Sequence, residues 1–279
     1  MTSSAILFAP REAIRTVGGR GGGGGRGGGI GYPQPGAAID YYLASAPGDD
    51  VKMEILDASG KVVRTFSSAA ERAPAVVEDA APADDEEGGG GGGRGRGGPT
   101  RLDKSPGIHR FTWDLRYPGP WASAARPEGP NGPEAVPGKY SVRFTAGTYT
   151  ATQPLSFVED PRIASDGVTL ADLKEQFDHN IRVRDLVSDM NKTLARLREA
   201  RARATGEKLA NLNDLAADLI TPAIRYSKPE LQTHITYLYS MTNSTDQKIG
   251  RDAIARYNVL RKALDERIAQ LNKILGSDK

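Results

Sequence analysis

The stretch Gln153–Leu173, QPLSFVEDPRIASDGVTLADL, holds the change of character that decides the fold. Before Pro161 glycine and proline are dense and apolar residues alternate with polar ones, the period of half-buried strands. After it glycine nearly vanishes, and apolar residues return every three or four positions, the period of a helix with one buried face. A boundary at about residue 160 follows, with an all-β domain over 1–160 and an all-α domain over 161–279. A chain of 279 residues is long enough for each domain to bury a core of its own.

Upstream of the boundary, AAIDYYLAS (Ala37 to Ser45) and VKMEILDASGKVVRTF (Val51 to Phe66) read as strands. Val51, Met53 and Ile55 sit at period two with Lys52 and Glu54 between them, which predicts one buried and one wet face. Asp57-Ala58-Ser59-Gly60 has the composition of a hairpin turn, with Gly60 free to take positive φ. IHRFTWDLR alternates through Phe111, Trp113 and Leu115, and His109 is placed on the polar phase. GKYSVRFTAGTYTATQPLSFVED gives a strand through Tyr140, Val142 and Phe144, a turn at Ala146 and Gly147, and a return toward Phe157. About six or seven short strands of this kind predict an antiparallel β-sandwich.

From Val168 onward the spacing predicts four helices, arranged as an antiparallel bundle or a long helical hairpin. The first opens at a capping box, Thr169-x-x-Asp172, carries Leu170, Leu173, Phe177, Ile181, Val187, Met190, Leu194 and Leu197 on one stripe, and ends near Gly206. A second runs through Leu209, Leu212, Leu215, Leu219 and Ile220 to a break at Pro222. Ser227-x-x-Glu230 is expected to open a third, and Ser244-x-x-Gln247 a fourth that carries Tyr257, Leu260, Leu264 and Leu271. The first and last are expected to reach about 50 Å each, at about 1.5 Å per residue.

Two glycine tracts, Gly18–Gly29 and Gly88–Gly98, are the most conspicuous motifs. As a phosphate cradle they lack the strand before and the helix after: the first leads into YPQPG, and no Gly-Lys-Ser/Thr follows either. As RNA-binding arms they offer only Arg20, Arg26, Arg94 and Arg96, without aromatic residues to stack on bases. EDAAPADDEE precedes the second tract, and its carboxylates would repel a phosphate backbone. Both are therefore predicted to be insertions between strands, over 18–31 and 67–100. The balance of 37 Lys+Arg against 35 Asp+Glu, a net charge of +2, also argues against a protein built around nucleic acid.

Cysteine is absent and histidine is limited to His109, His179 and His234, so no spacing for a transition-metal site exists and no cofactor or metal ligand is assigned. There is no G-x-S-x-G elbow. Asp40, Glu54, Asp57 and Asp114 are the carboxylates from which a glycosidase pair would have to be drawn, but Asp57 reads as a turn former and Asp114 as the start of a bend, and no catalytic residue is assigned. Trp113, Trp121, Tyr117 and Arg116 could form a sugar-stacking platform. Trp113 shares the apolar phase and is expected in the core, leaving Arg116, Tyr117 and Trp121 as the candidate interaction surface. The opening apolar run is too short for a signal-peptide core, and no stretch is long enough to span a bilayer.

VKMEILDASGKVVRTF, GIHRFTWDLRYPGP and AVPGKYSVRFTAG, taken in order, resemble the immunoglobulin-like module of the flagellar-hook-capping type. Asp57, Gly60, Gly107, Trp113, Asp114, Pro137, Gly138 and Tyr140 match its pattern. More broadly, LFAPREAIR, GAAIDYYL, WDLRYPGP, QPLSFVEDPR and the helical tail resemble the C-terminal region of bacterial BNR-repeat, sortilin-like β-propeller proteins of glycosyl hydrolase or exo-sialidase-like type. The resemblance implies an accessory region of a secreted, periplasmic or cell-surface protein, with an N-terminal β-propeller of the same parent protein as its partner and a glycan or a protein as its ligand. Any hydrolase chemistry would then belong to the propeller, whose Ser-x-Asp-x-Gly-x-x-Trp repeat mark does not occur in this chain. Met1 is expected to be an internal start on that reading.

Overall fold

The computed structural model describes residues 4–16, 36–69 and 101–276. Both glycine tracts and the acidic run lie outside the described residues. Among the described residues eight strands form: β1 (Ala5–Leu7), β2 (Ala13–Arg15), β3 (Ala37–Leu43), β4 (Lys52–Leu56), β5 (Val62–Ser67), β6 (Gly107–Trp113), β7 (Gly138–Ala146) and β8 (Tyr149–Glu159). They build a three-stranded sheet in the order β1-β3-β6 and a five-stranded sheet in the order β2-β8-β7-β4-β5. Five helices follow: α1 (Pro161–Ser165), α2 (Leu170–Arg203), α3 (Gly206–Leu219), α4 (Leu231–Asn243) and α5 (Arg251–Gly276). Two compact units emerge, Met1–Leu115 with Gly138–Val158, and Arg116–Pro137 with Glu159–Lys279. A division at residue 160 would assign Arg116–Pro137 to the strands, whereas its contacts group it with the helices.

In the first unit β3 pairs antiparallel with β1 and β6, and β4 pairs antiparallel with β5 and β7. Ile39, Met53, Ile55, Trp113, Val142 and Phe144 are each fully buried. Rings from the two sheets meet in this core: Tyr41 lies 4.8 Å from Phe144, Phe66 4.5 Å from Phe111, and Trp113 edge-on to Phe157 at 6.0 Å. Offset and edge-on geometries of this kind add to the stabilisation from burial alone. Asp57 organises the β4–β5 turn by accepting from the Ser59 and Lys61 amides, while Gly60 takes φ +83. β7 and β8 are joined through Gly147 at φ +57, with Ala146 opposite Tyr149.

Two strand expectations need correction. Glu54 is not on a wet face but only 7% exposed, because β4 is an inner strand and the carboxylate is paired with Arg143 and Lys52. His109 belongs to the inward phase with Phe111 and Trp113. Its side chain is 14% exposed, its Nε2 lies 2.7 Å from the Ser105 carbonyl, and its ring sits 5.2 Å from Tyr41. Ile108, one residue earlier, takes the solvent side at 73% exposure.

In the second unit α2 opens at the expected capping box: the Thr169 hydroxyl accepts from the Asp172 amide, and the Asp172 carboxylate accepts from the Thr169 amide. α2, α3, α4 and α5 share one apolar core built around Val183, Met190, Leu197, Leu212, Ile235 and Leu264. The expected stripe on α2 is partly displaced toward its N-terminus. Leu170 is 49% exposed, and Gln176, His179 and Asn180 are buried instead. The Gln176 amide donates to the carbonyls of Thr242 and Thr245, and Asn180 donates to that of Thr242. These polar residues satisfy carbonyls at the C-terminal end of α4 that have no partner within the helix.

The third and fourth helices begin later than the sequence suggests. Ser227 donates to the Pro222 carbonyl and closes the turn after α3, so α4 starts at Leu231 with Glu230 as its N-cap. Ser244 and Gln247 both donate to the Met241 carbonyl, which makes their Ser-x-x-Gln pattern a stop for α4 rather than the start of α5. With 26 residues, α5 spans about 39 Å at about 1.5 Å per residue, short of the expected 50 Å. α1 was not expected; Asp160 caps it by accepting from the Arg162 amide at 2.9 Å.

His179 is wholly buried, neither ring nitrogen has a hydrogen-bond partner, and its ring stands edge-on to Tyr257 of α5 at 6.2 Å. Burial, reinforced by the Arg182 charge, pushes its pKa down to about 4. As pH falls below the unfolded value near 6.5, the unfolded chain takes up a proton that the folded chain refuses, so stability is lost between about pH 6.5 and about pH 4. Replacing His179 with Leu should therefore flatten the pH dependence of urea stability over that window, the two profiles diverging by up to about 3 kcal/mol toward pH 4. Parallel profiles for the two proteins would show that His179 does not stay neutral.

Candidate functional site: the Trp121 strap and its groove

Arg116–Pro137 contains a loop, YPGPWASAARPEGPNGP, that folds back on itself as a narrow strap. Arg116 bridges antiparallel to Glu134, the Tyr117 amide donates to the Pro133 carbonyl, the Gly119 amide to the Gly129 carbonyl, and the Gly129 amide to the Pro120 carbonyl. The two arms run so close that a Cβ at Gly132 would overlap the Tyr117 carbonyl, and one at Gly119 the Pro130 carbonyl. Glycine is required at these positions for that approach. The chain enters the strap at Leu115, a buried leucine held at φ 58, which is an uncommon conformation for a residue with a branched side chain.

Side chains from the helices fix the strap in place. The Ser188 hydroxyl accepts from the Trp121 amide at 3.0 Å, and Asn191 donates to the Trp121 carbonyl at 2.7 Å, so α2 holds both backbone polar groups of the tryptophan. From α4, the Tyr239 hydroxyl donates to the Asn131 carbonyl at 2.7 Å and the Asn243 amide at 3.0 Å. Burial raises the Tyr239 pKa far above its ordinary value, so the phenol remains a donor at any physiological pH.

The three candidate residues all fall in this strap but do different work. The Arg116 guanidinium donates to the Gly132 carbonyl at 2.9 Å and pairs with Glu134. Tyr117 packs its ring 4.8 Å from Phe177 of α2. Trp121 is half-buried and lines a groove of about 670 Å³ between the strap and α2. Trp113, the fourth member of the imagined sugar platform, is sealed in the core of the first unit. The groove's other chemistry comes from Lys192, Arg196, Arg198 and Glu199 on α2 and from Gln232 on α4. For the α2 residues the sequence held a signal in the polar positions that follow Ser188 on the predicted first helix, Asn191 and Lys192 at i+3 and i+4 and Arg196 and Glu199 at i+8 and i+11, but nothing local tied that face to Trp121.

The carboxylates considered for hydrolysis are tied to other partners. Arg110 grips Asp40 through Nε at 2.7 Å and a second bond at 2.8 Å, and these bonds hold Asp40 below the usual carboxylate range. Hydrogen bonding from Arg143 does the same for Glu54, and that from Ser59 for Asp57. Asp114 pairs with Arg64 at 3.0 Å. Asp40 sits on the three-stranded sheet and Glu54 on the five-stranded one. A general acid needs its pKa raised, the opposite of what these environments do to Asp40, Glu54 and Asp57. Among the described residues no group of three or more His, Asp or Glu could hold a metal ion, and no helix is long and apolar enough to cross a membrane. Compared with known proteins, the chain matches no family model, no curated protein and no solved structure.

If Ser188 and Asn191 set the position of the indole, replacing both with Ala should free Trp121 while leaving the apolar core intact. Acrylamide reads this directly, because Trp113 is fully buried and only Trp121 is open to quenching. The double variant is expected to show steeper quenching and a red-shifted emission, with a stability loss of about 1–3 kcal/mol for two hydrogen bonds. Unchanged quenching would mean that other contacts hold the strap.

Proposed function

We propose that this chain is a non-catalytic accessory and scaffolding region: an immunoglobulin-like β-sandwich followed by a helical bundle, belonging to an exported β-propeller protein. In this reading it braces the N-terminal propeller of the same parent protein and mediates contact with a protein or a glycan surface. Support for the sandwich comes from two antiparallel sheets whose facing rings share one core. Support for the bundle comes from four helices around a common apolar cluster. The observation that carries the interaction role is the Trp121 strap, whose backbone is clamped to α2 while the indole stays at an open groove. A large side chain held rigid before binding loses little entropy when a ligand arrives, which is the usual logic of an aromatic anchor. The propeller partner, the exported location and the glycosyl hydrolase-like context rest on the resemblance of the sequence motifs.

The reading makes a direct claim about chemistry. The full chain at high concentration is expected to leave aryl-glycoside reporters unhydrolysed across the pH range. Turnover that disappears in Asp40→Asn or Glu54→Gln would overturn the non-catalytic assignment, since it would put those carboxylates to work as acid, base or nucleophile.

A further inference from the structure

The charges around the groove are uneven. Lys192, Arg196 and Arg198 border it on α2 against a single carboxylate, Glu199. Most arginines that the fold itself uses have a carboxylate partner, as Arg110, Arg143 and Arg261 do. Arg196 instead donates to the neutral Asn272 at 2.7 Å, and among the described residues neither Lys192 nor Arg198 has a salt-bridge partner. Their positive charge is left facing solvent beside a fixed indole. Self-repulsion within such a cluster is relieved by an anionic partner, which the cluster also attracts from a distance.

The spacing of the cations selects the kind of anion. Lys192 and Arg196 are one helical turn apart, about 6 Å along α2. In an extended peptide, side chains at i and i+2 lie on the same face about 6.6 Å apart, so alternate acidic residues meet successive turns of the helix. A neutral sugar fits less well, because it leaves the cations unmatched and, with Asn191 spent on the Trp121 carbonyl and Ser123 accepting from the Arg126 amide, finds Gln232 as its main uncharged partner. Single-stranded nucleic acid usually calls for several stacking rings along the track, and this groove offers one.

We propose that the groove binds an acidic peptide segment in extended conformation, with alternate carboxylates on Lys192 and Arg196, long-range attraction from Arg198 on the opposite edge of the groove, and an apolar side chain against Trp121. The proposal rests on the reading of the Trp121 groove as an interaction surface and names the partner that the surface takes. A carboxylate on Arg196 and a ring against the indole would fix register, while Gln232 on α4 supplies a hydrogen bond to the peptide backbone.

The test is a fluorescence-anisotropy titration of a short fluorescein-labelled peptide of alternating Glu and Ala with a central Phe, using the full chain. Two competitors, a polyuronate and a single-stranded RNA, are titrated in parallel. Binding is expected at low salt and should weaken as salt rises. The triple variant Lys192→Glu, Arg196→Glu, Arg198→Glu should lose about tenfold or more in affinity, and Trp121→Ala should lose affinity at unchanged salt dependence. The triple reversal Arg11→Glu, Lys61→Glu, Lys139→Glu, at three exposed cations outside the groove lining, is the control of equal charge change. Peptide binding untouched by the triple variant overturns the proposal. Tighter binding of polyuronate or RNA that the triple variant abolishes also overturns the acidic peptide as partner, while leaving the groove as an interaction surface. Absence of binding to all three probes overturns both. Circular dichroism of the triple variant, whose replaced side chains are all exposed, separates lost binding from lost folding.

Discussion

One helix sets the terms for the second unit. α2 presents a buried stripe from Leu173 to Leu197 to the other helices, and a second face, Ser188 and Asn191, to the backbone of the strap. Thirty-four residues of unbroken helix make this possible, because one rigid element then references everything that touches it. A strap made largely of proline, glycine and small residues has little core of its own. Its position depends on donors and acceptors that α2 and α4 supply, and these must be held in place before a loop can borrow them. Trp121 is fixed for that reason, and the groove exists because a fixed loop stands beside a helix without filling the space between.

Burial of polar groups in α2 follows the same logic. Gln176 and Asn180 occupy core-facing positions because α4 ends against them, leaving carbonyls that would otherwise be unpaired inside the protein. His179, between them, gains no such bond and is tolerated as a neutral ring packed near Tyr257. A stripe of leucines would pack this end of the unit at least as tightly but would leave the α4 terminus unsatisfied. The two amides choose hydrogen-bond closure over apolar packing, and the histidine beside them makes that choice sensitive to acid.

Much of this fold was legible in the sequence where the signal was local. Alternation located β3 through β8, Asp57 and Gly60 located a turn, and Thr169 with Asp172 located the start of α2. The errors have a common physical cause. A Ser-x-x-Gln pattern specifies donors and acceptors three residues apart without saying which helix end they serve, and at Ser244 they serve the helix behind rather than the one ahead. At His109 alternation misleads because histidine counts as polar in such a pattern, although here its ring packs on Tyr41 with one nitrogen satisfied by a carbonyl. At Glu54 the local pattern points to water, since the residues of β4 do not reveal that β5 and β7 flank it and that Arg143 stands opposite. The grouping of Arg116–Pro137 with the helices was hidden for a similar reason: every bond that decides it is made to residues more than 60 positions away.

Charge divides the chain more sharply than its near-zero net value suggests. On the strands, arginine and carboxylate meet as cross-strand neighbours, Asp40 opposite Arg110 and Glu54 opposite Arg143, which ties adjacent strands and keeps the carboxylates ionised. Removing either partner would expose the other to water on the sheet surface or strand it within the sheet. Beside the groove, Lys192, Arg196 and Arg198 of α2 follow the opposite rule: among the described residues no carboxylate pairs with them. α2 carries both kinds of charge: Lys174, Arg184 and Asp189 along it are paired, whereas the cations that border the groove face solvent beside the half-open tryptophan. Stability gives no reason to leave cations unpaired beside an indole, since each could have been matched at an i+4 position as Arg261 is with Asp265. A surface that binds something anionic does give that reason, because the pairing is then completed by the partner.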